Sequence, residues 1–394
     1  MKPAVGLAVG RGTGVELAAV FERALHRIVA PHGAGIEIVR SPRTYHSYVS
    51  LRQEVGDTER IRRLTEEDAG HYERFCRELA RAGTTAVFRT AVNAQSLYLV
   101  RQRLQAVKVE PIAAGDASLL LVRDEAQGFY TGENRHAPGV VTRTMEFSRE
   151  ITGKVLDYAV RRAWRQWPDR GPARVVMAYK FHLLDGALDD WVEELGRGLG
   201  VEVRLFQPDT VNRNLITHGL GDRTVILAGN EWADIMHVVL LDRFGGARQE
   251  SRCTENVHLH PELAELVEYQ TVHGSADDLT GKDTVNPVAT LRAAAVVAER
   301  HAGCPGAVAT VERALAVAEE QGIRTPDLGG RHSTTAVVDA VLDALTARAS
   351  AGPSPVGPPS VGAARSSGPL PGATLPVGTL PVGTLPVGTL ADRS

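Results

Sequence analysis

Cysteine is scarce: three residues in 394, Cys76, Cys253 and Cys304, far apart and odd in number. That argues against a disulfide framework and fits a reducing, cytoplasmic setting. No apolar run approaches the roughly 20 residues that a membrane-spanning helix needs. The opening MKPAVGLAVGRGTG turns to glycine after a short apolar stretch, so it reads as a strand and loop rather than a signal peptide. An excess of positive charge is missing too, since 44 Lys and Arg face 47 Asp and Glu for a formal charge of -3. Without a broad basic field, nucleic acid is not an expected partner. What the chain does have is bulk: 43% apolar content over this length can bury a large core and predicts two domains, or two lobes of one interleaved unit.

The stretch Thr271 to Pro287, TVHGSADDLTGKDTVNP, has neither a helix nor a strand period and reads as an ordered surface loop. Gly274 and Gly281 let backbone approach a ligand closely, and Ser275, Thr280 and Thr284 offer short donors for phosphate oxygens. Asp278 supplies a carboxylate that can accept both hydroxyls of an adenosine ribose and would repel a 2'-phosphate, which favours NAD over NADP.

Elsewhere the pattern alternates strands and helices. VGLAVG (4–9) is a strand candidate followed by Gly10, Gly12 and Gly14 and a helix from near Val15; the glycine turn carries no ligand assignment of its own. A charged helix is expected from Asp57 to Ala82, then a buried strand at 83–88. SLYLVRQRLQAVKVEP reads as a helix carrying Arg101, which could clamp a carboxylate, followed by a strand. The next strand delivers Arg123 and a glycine turn presents Tyr130. A basic amphipathic helix is expected over 142–167, and RVVMAYKF (174–181) is an apolar strand with Lys180 at its end. Asp209 falls where a helix N-cap is expected, and Asp234 in the first turn of a helix beginning at Glu231. Cys253, His258 and His260 fall short of the four spaced ligands of a zinc site. VATLRAAAVVAERH (288–301) is an apolar helix, and from Ala351 a Pro/Gly-rich tail ending in repeated LPVGT reads as a disordered extension.

The loop HGSADDLTGK followed by NP resembles the adenine-binding loop of the β-decarboxylating dehydrogenases, the isocitrate/isopropylmalate dehydrogenase family, with Asp277 where that pattern has Pro. The runs around Arg101, around Arg123 and Tyr130, around Lys180, around Asp209 and Asp234, and RTPDLGG near the end resemble further motifs of the family in its order. The resemblance implies an α/β, two-lobed fold with residues 1–92 and 245–348 in a cofactor-binding lobe and 93–244 in a substrate, metal and dimer lobe. It implies NAD at His273, Gly274, Ser275, Asp278 and Asn286, and Mg2+ or Mn2+ at Asp209 and Asp234. Lys180 and Tyr130 would be catalytic. Arg101 and Arg123 would hold the carboxylates of a 2-hydroxy di- or tricarboxylic acid. Sites shared across a homodimer follow, with Lys180 and one metal aspartate from the neighbouring subunit.

Three departures bear on activity. Val238 stands where the family has a second metal aspartate on the same helix face; Glu110 stands where it has a second substrate arginine, with Lys108 nearby to compensate; and His182 replaces an asparagine beside the lysine. Leu97 and Tyr98, just before Arg101, lean toward an alkyl or aryl substituent on the substrate. Val238, Glu110 and His182 leave a second reading open: a non-catalytic paralogue that binds NAD without turnover.

Overall fold

The computed structural model describes residues 2–33, 35–54, 57–114, 117–244, 252–271 and 274–349. The expected disordered tail lies outside them. The described residues all fall in one compact unit that spans residues 1–352.

A single ten-stranded sheet runs through the α/β fold. Its strands are β1 (Ala4–Gly10), β2 (Glu37–Tyr45), β3 (Ala86–Arg89), β4 (Ala106–Ala114), β5 (Ala117–Asp124), β8 (Arg174–Ala178), β9 (Val203–Phe206), β10 (Thr224–Gly229), β11 (Cys253–His258) and β12 (Val267–Thr271), while β6 (Glu133–Ala137) and β7 (Val140–Thr144) form a separate hairpin. The order is β2-β1-β3-β12-β11-β4-β5-β10-β8-β9. Two parallel blocks, β2-β1-β3-β12 and β5-β10-β8-β9, are joined through the antiparallel strands β11 and β4. Five strands from the two ends of the chain therefore make one half of the sheet and five from its middle make the other. The halves meet where β11 pairs with β4.

Helices cover both faces, as a parallel sheet requires. On one face Gly14–Val29 and Val288–His301 cover the first half and Arg149–Gln166 the second. On the other face Thr58–Arg81 and Ala94–Arg103 cover the first half, and Pro208–His218 and Asn230–Phe244 the second. The long charged helix starts as expected, with the Asp57 side chain accepting from the Glu59 amide at its N-terminus. Phe21 stacks on Phe88 at 4.1 Å between ring centroids and anchors the first helix to β3.

Two local expectations change. Residues 142–148 are not helical: Val140, Val141 and Thr142 pair with β6 through a two-residue turn in which Gly139 has φ +73, and the helix begins only at Arg149, capped by Ser148. The β-branched run and the glycine turn win over the amphipathic pattern. Asp209 is not the N-cap of its helix; Gln207 takes that place, and Asp209 lies in the first turn behind Pro208.

On the face covered by Thr58–Arg81 and Asn230–Phe244, strand pairing aligns Glu268, Asn256, Lys108 and Arg123 in one row across β12, β11, β4 and β5. All four are buried. Glu268 accepts from Arg89 Nε at 2.8 Å, from Tyr72 Oη at 2.6 Å and from Asn256 Nδ2 at 2.9 Å. Burial alone would raise its pKa, but Arg89, His258 and Arg101 hold the carboxyl down at about 2. A depressed carboxyl stabilises the fold at pH above its unfolded value, near 4.3, and loses that contribution as pH falls toward 2. Glu268→Gln should therefore lower stability at pH 7 by about 3 to 5 kcal/mol, because Arg89 is left buried without its counter-charge. The deficit relative to wild type should shrink between pH 4.5 and 2 in urea titrations followed by circular dichroism; a pH-independent deficit would contradict the assignment.

Candidate active site

Three groups of side chains are built by the strand ends. At the carboxyl ends of the first parallel block the glycine turn after β1 grips the loop 274–281. Thr13 donates to the Ser275 carbonyl twice, from its amide at 2.9 Å and from its hydroxyl at 3.0 Å. Gly12, at φ +73, sits so close that a Cβ there would lie 2.4 Å from the Ser275 oxygen. Glu16 accepts from the Gly281 amide. Ser47 donates to Asp277 at 2.8 Å, and Ser275 donates its hydroxyl to the same carboxylate. The residue before Ser47 is fixed in turn, since the His46 amide donates at 2.8 Å to the buried Asp68.

This placement revises the expected roles within the loop. The Ser275 hydroxyl is directed at Asp277 rather than toward a phosphate, so Ser275 joins the loop to the fold through its carbonyl. Asn286 is buried and binds Asp327 at 2.8 Å and the Val288 amide at 2.9 Å, holding the start of the helix Val288–His301. Asp278 is exposed and makes no hydrogen bond among the described residues, which leaves its carboxylate available to a ribose. Gly274 is exposed. His273 lies outside the described residues.

The second group lies at the end of β5. Arg123, 5% exposed, donates from Nε at 3.1 Å and from Nη2 at 2.6 Å to Asn230 Oδ1, and it pairs with Asp234. Tyr130 donates to the other oxygen of Asp234 at 3.1 Å. Its ring lies 4.8 Å from that of Tyr98. Arg101 pairs with Glu125 at 3.1 Å, and its guanidinium lies over Tyr98. The structure thus brings together Arg101, Arg123, Tyr130 and Asp234, four residues that are far apart in sequence.

The third group lies at the ends of β8 and β9. Lys180 donates to Asp209 at 2.8 Å and to Gln207 at 3.1 Å, with Trp232 5.9 Å from its ammonium. Lys180 is partly exposed rather than buried. Asp209 is 70% exposed, and the hydrogen bond from Lys180 lowers its pKa. Asp209 follows β9 and Asp234 lies on the helix that follows β10, two strand spacings away, about 10 Å. A magnesium ion binds oxygens at about 2.1 Å, so two aspartates sharing one must approach to within a few ångströms. Among the described residues of one chain, nothing joins Asp209 to Asp234, and no cluster of three metal-binding side chains forms.

Residues 86–341 match the family model for isocitrate/isopropylmalate dehydrogenase. The chain belongs to this family. It is 28% identical over 244 residues to a probable tartrate dehydrogenase/decarboxylase of Agrobacterium vitis, covering 59% of this chain and 64% of that one. It is 26% identical over 261 residues to a 3-isopropylmalate dehydrogenase of Novosphingobium aromaticivorans, covering 60% and 68%. The chain thus spans a little under two thirds of the first of these relatives. In fold it resembles a β-decarboxylating dehydrogenase from Thermococcus kodakarensis (TM-score 0.59, 21% identity, 89% of this chain and 98% of that one). It also resembles an isocitrate dehydrogenase from Methylococcus capsulatus (TM-score 0.60, 18% identity, 88% and 99%).

Against the family pattern, the departures acquire surroundings. Glu110 is buried beside Lys108 at 3.3 Å, His237 at 3.4 Å and Arg123 at 3.8 Å. Burial would raise its pKa, but Lys108 and Arg123 outweigh this and lower it. Lys108 therefore neutralises Glu110 instead of standing in for an arginine. Burial pushes His237 down to about 4, so it is neutral. Val238 is 59% exposed. His182 is exposed. Leu97 is buried in the core, whereas Tyr98 faces the site.

Sequence reasoning missed Thr13, Ser47 and Asn230, whose roles come from contacts 107 or more residues away along the chain. The glycine turn was the visible signal for the first of them. Gly12→Ala should displace loop 274–281 and, if this loop holds the expected NAD, weaken its binding roughly tenfold, a loss of about 1.4 kcal/mol, measured by quenching of protein fluorescence. Unchanged NAD affinity would show that the grip on Ser275 is not what shapes the pocket.

Proposed function

We propose that the chain catalyses NAD-dependent, divalent-metal-assisted oxidative decarboxylation of a 3-substituted malate-type 2-hydroxy acid. The observation that carries this reading is the group Arg123, Tyr130 and Asp234, hydrogen-bonded together beside Arg101 at the end of β5. Two guanidinium groups next to a phenol and a carboxylate suit a substrate with two carboxylates and one carbon to be protonated. The helix Ala94–Arg103, about 15 Å long, begins where the Asn93 amide donates to the His46 carbonyl near the cofactor loop and ends with Arg101 at the substrate group. A dinucleotide lying along it would place adenosine at Asp278 and nicotinamide toward Arg101.

Each residue then has a task. Arg101 and Arg123 hold the carboxylates. Lys180 takes the proton of the C2 hydroxyl as hydride leaves C2 for NAD. The bond from C3 to its carboxyl group breaks with release of carbon dioxide, and Tyr130 gives a proton to C3. Asp209 and Asp234 would hold the divalent ion, which when bound supplies Lewis acidity at the C2 oxygen. Their carboxylates suit a hard cation and both remain partly exposed; a second copy that brings Asp209 toward Asp234 would let them share one ion.

We therefore infer a homodimer with shared sites, built from a cofactor lobe (1–92 and 245–348) and a substrate lobe (93–244). The exposed hairpin β6-β7, with Val140 and Val141 outward, offers an unpaired apolar surface for such contact. A cavity of about 570 Å³ opens beside Tyr130, walled by Ile61, Tyr98, Leu99 and Phe129, which supports an alkyl or aryl substituent at C3. No described helix is long and apolar enough to cross a membrane. The three unpaired cysteines support the cytoplasmic reading.

NADH formation across a panel of 3-substituted malates with Mg2+ or Mn2+ should reveal turnover. NAD binding without turnover on any of them would favour the non-catalytic paralogue. Lys180→Ala should abolish turnover and leave NAD affinity nearly unchanged, and full activity in that variant would remove lysine from the mechanism. Val238→Asp should tighten metal binding; an unchanged metal titration would place that helix face away from the ion.

A further inference from the structure

Behind the catalytic face, a cleft of about 510 Å³ lies across the line where the two halves of the sheet meet. One wall is the helix Arg149–Gln166 from the middle of the chain, the other is the end of the helix Val288–His301, and β11 and β12 form the floor. Tyr158, Arg162 and Arg165 recur on the cleft side of the first wall at the spacing of one helix face, and Arg300 faces them from the second.

The charges do not balance. Arg300 is taken by Glu255, while Glu265 serves both Arg161 at 2.6 Å and Arg165 at 3.7 Å. Arg162 is only 9% exposed, and among the described residues its side chain donates only to the neutral Gln166 Oε1, at 3.0 Å. A guanidinium carries five donors, and burying one without a counter-charge is expensive. His301, between Tyr269 and Thr85, is neutral, since burial and Arg300 push its pKa down to about 4, and it neither adds to nor offsets the charge of the arginines. A volume of this size takes a small ligand.

The geometry points to a binding site for a small multivalent anion, a polycarboxylate or a phosphate, seated on Arg162 with Arg165 and Arg300 at its rim. This site is separate from the proposed catalytic groups, which lie on the other face of the sheet. An anion there bridges the two helices and so ties the two halves of the sheet together.

Citrate and inorganic phosphate, each at matched ionic strength against chloride, are titrated into the full chain by calorimetry and thermal unfolding. At least one should bind and raise the melting temperature. Arg162→Gln should weaken that binding about tenfold or more, while Arg123→Gln, which disables the substrate group, should leave it intact. Because Arg162 is buried, Arg165→Gln at the rim provides a second variant that folds readily and should weaken binding severalfold. Which anion binds identifies the ligand's source. No binding by either, or binding that survives Arg162→Gln and Arg165→Gln, overturns the site, and neither result bears on dehydrogenase activity.

Discussion

The constraint on which the rest depends is the buried polar row Glu268, Asn256, Lys108 and Arg123, set side by side by strand pairing across the middle of the sheet. Four polar residues on neighbouring strands are tolerated in a core only when each finds partners. Here Arg89 and Tyr72 serve one end, Glu110 sits over Lys108, and Asn230 with Asp234 serves the other end. The row crosses from strands made by the chain's two ends to strands made by its middle. It fixes the register between the halves and, in doing so, aims Arg123 at Tyr130 and Asp234.

From that row the functional groups follow by topology. The two parallel blocks run in opposite directions, so loop 274–281 and the Lys180–Asp209 pair fall at opposite ends of the sheet. Helix Ala94–Arg103 spans the interval between the loop and the substrate group. Within one chain Lys180 with Asp209, and Tyr130 with Asp234, form two separate pairs, the half-sites of the proposed reaction. At the centre Glu110, paired with Lys108 at 3.3 Å, also stands 3.8 Å from Arg123.

Much of this was legible in the residues. The helix at 288–301 and the strand ending before Lys180 carried largely apolar patterns, and the charged helix beginning near Asp57 was visible from its composition. The meeting of Arg101, Arg123, Tyr130 and Asp234 followed from resemblance rather than from any local signal. What was not legible depended on pairing across long separations. The Ser275 hydroxyl looked available because its competitor Asp277, and Thr13 at the carbonyl, come into reach only in the folded loop. The hairpin at 133–144 is almost wholly exposed and so left no burial pattern, and β11 and β12 hide charged residues inside strands.

The central claim is that the two half-sites complete each other between copies of the chain. Mixing two individually inactive variants, Lys180→Ala and Asp234→Asn, under conditions that let subunits exchange, and following NADH formation on a substrate the wild type turns over, tests it most directly. A mixed dimer carries both lesions in one site and none in the other, so activity should return to a sizeable fraction of wild type. A mixture as inactive as its components would mean that each chain builds its site alone, and the account would fail.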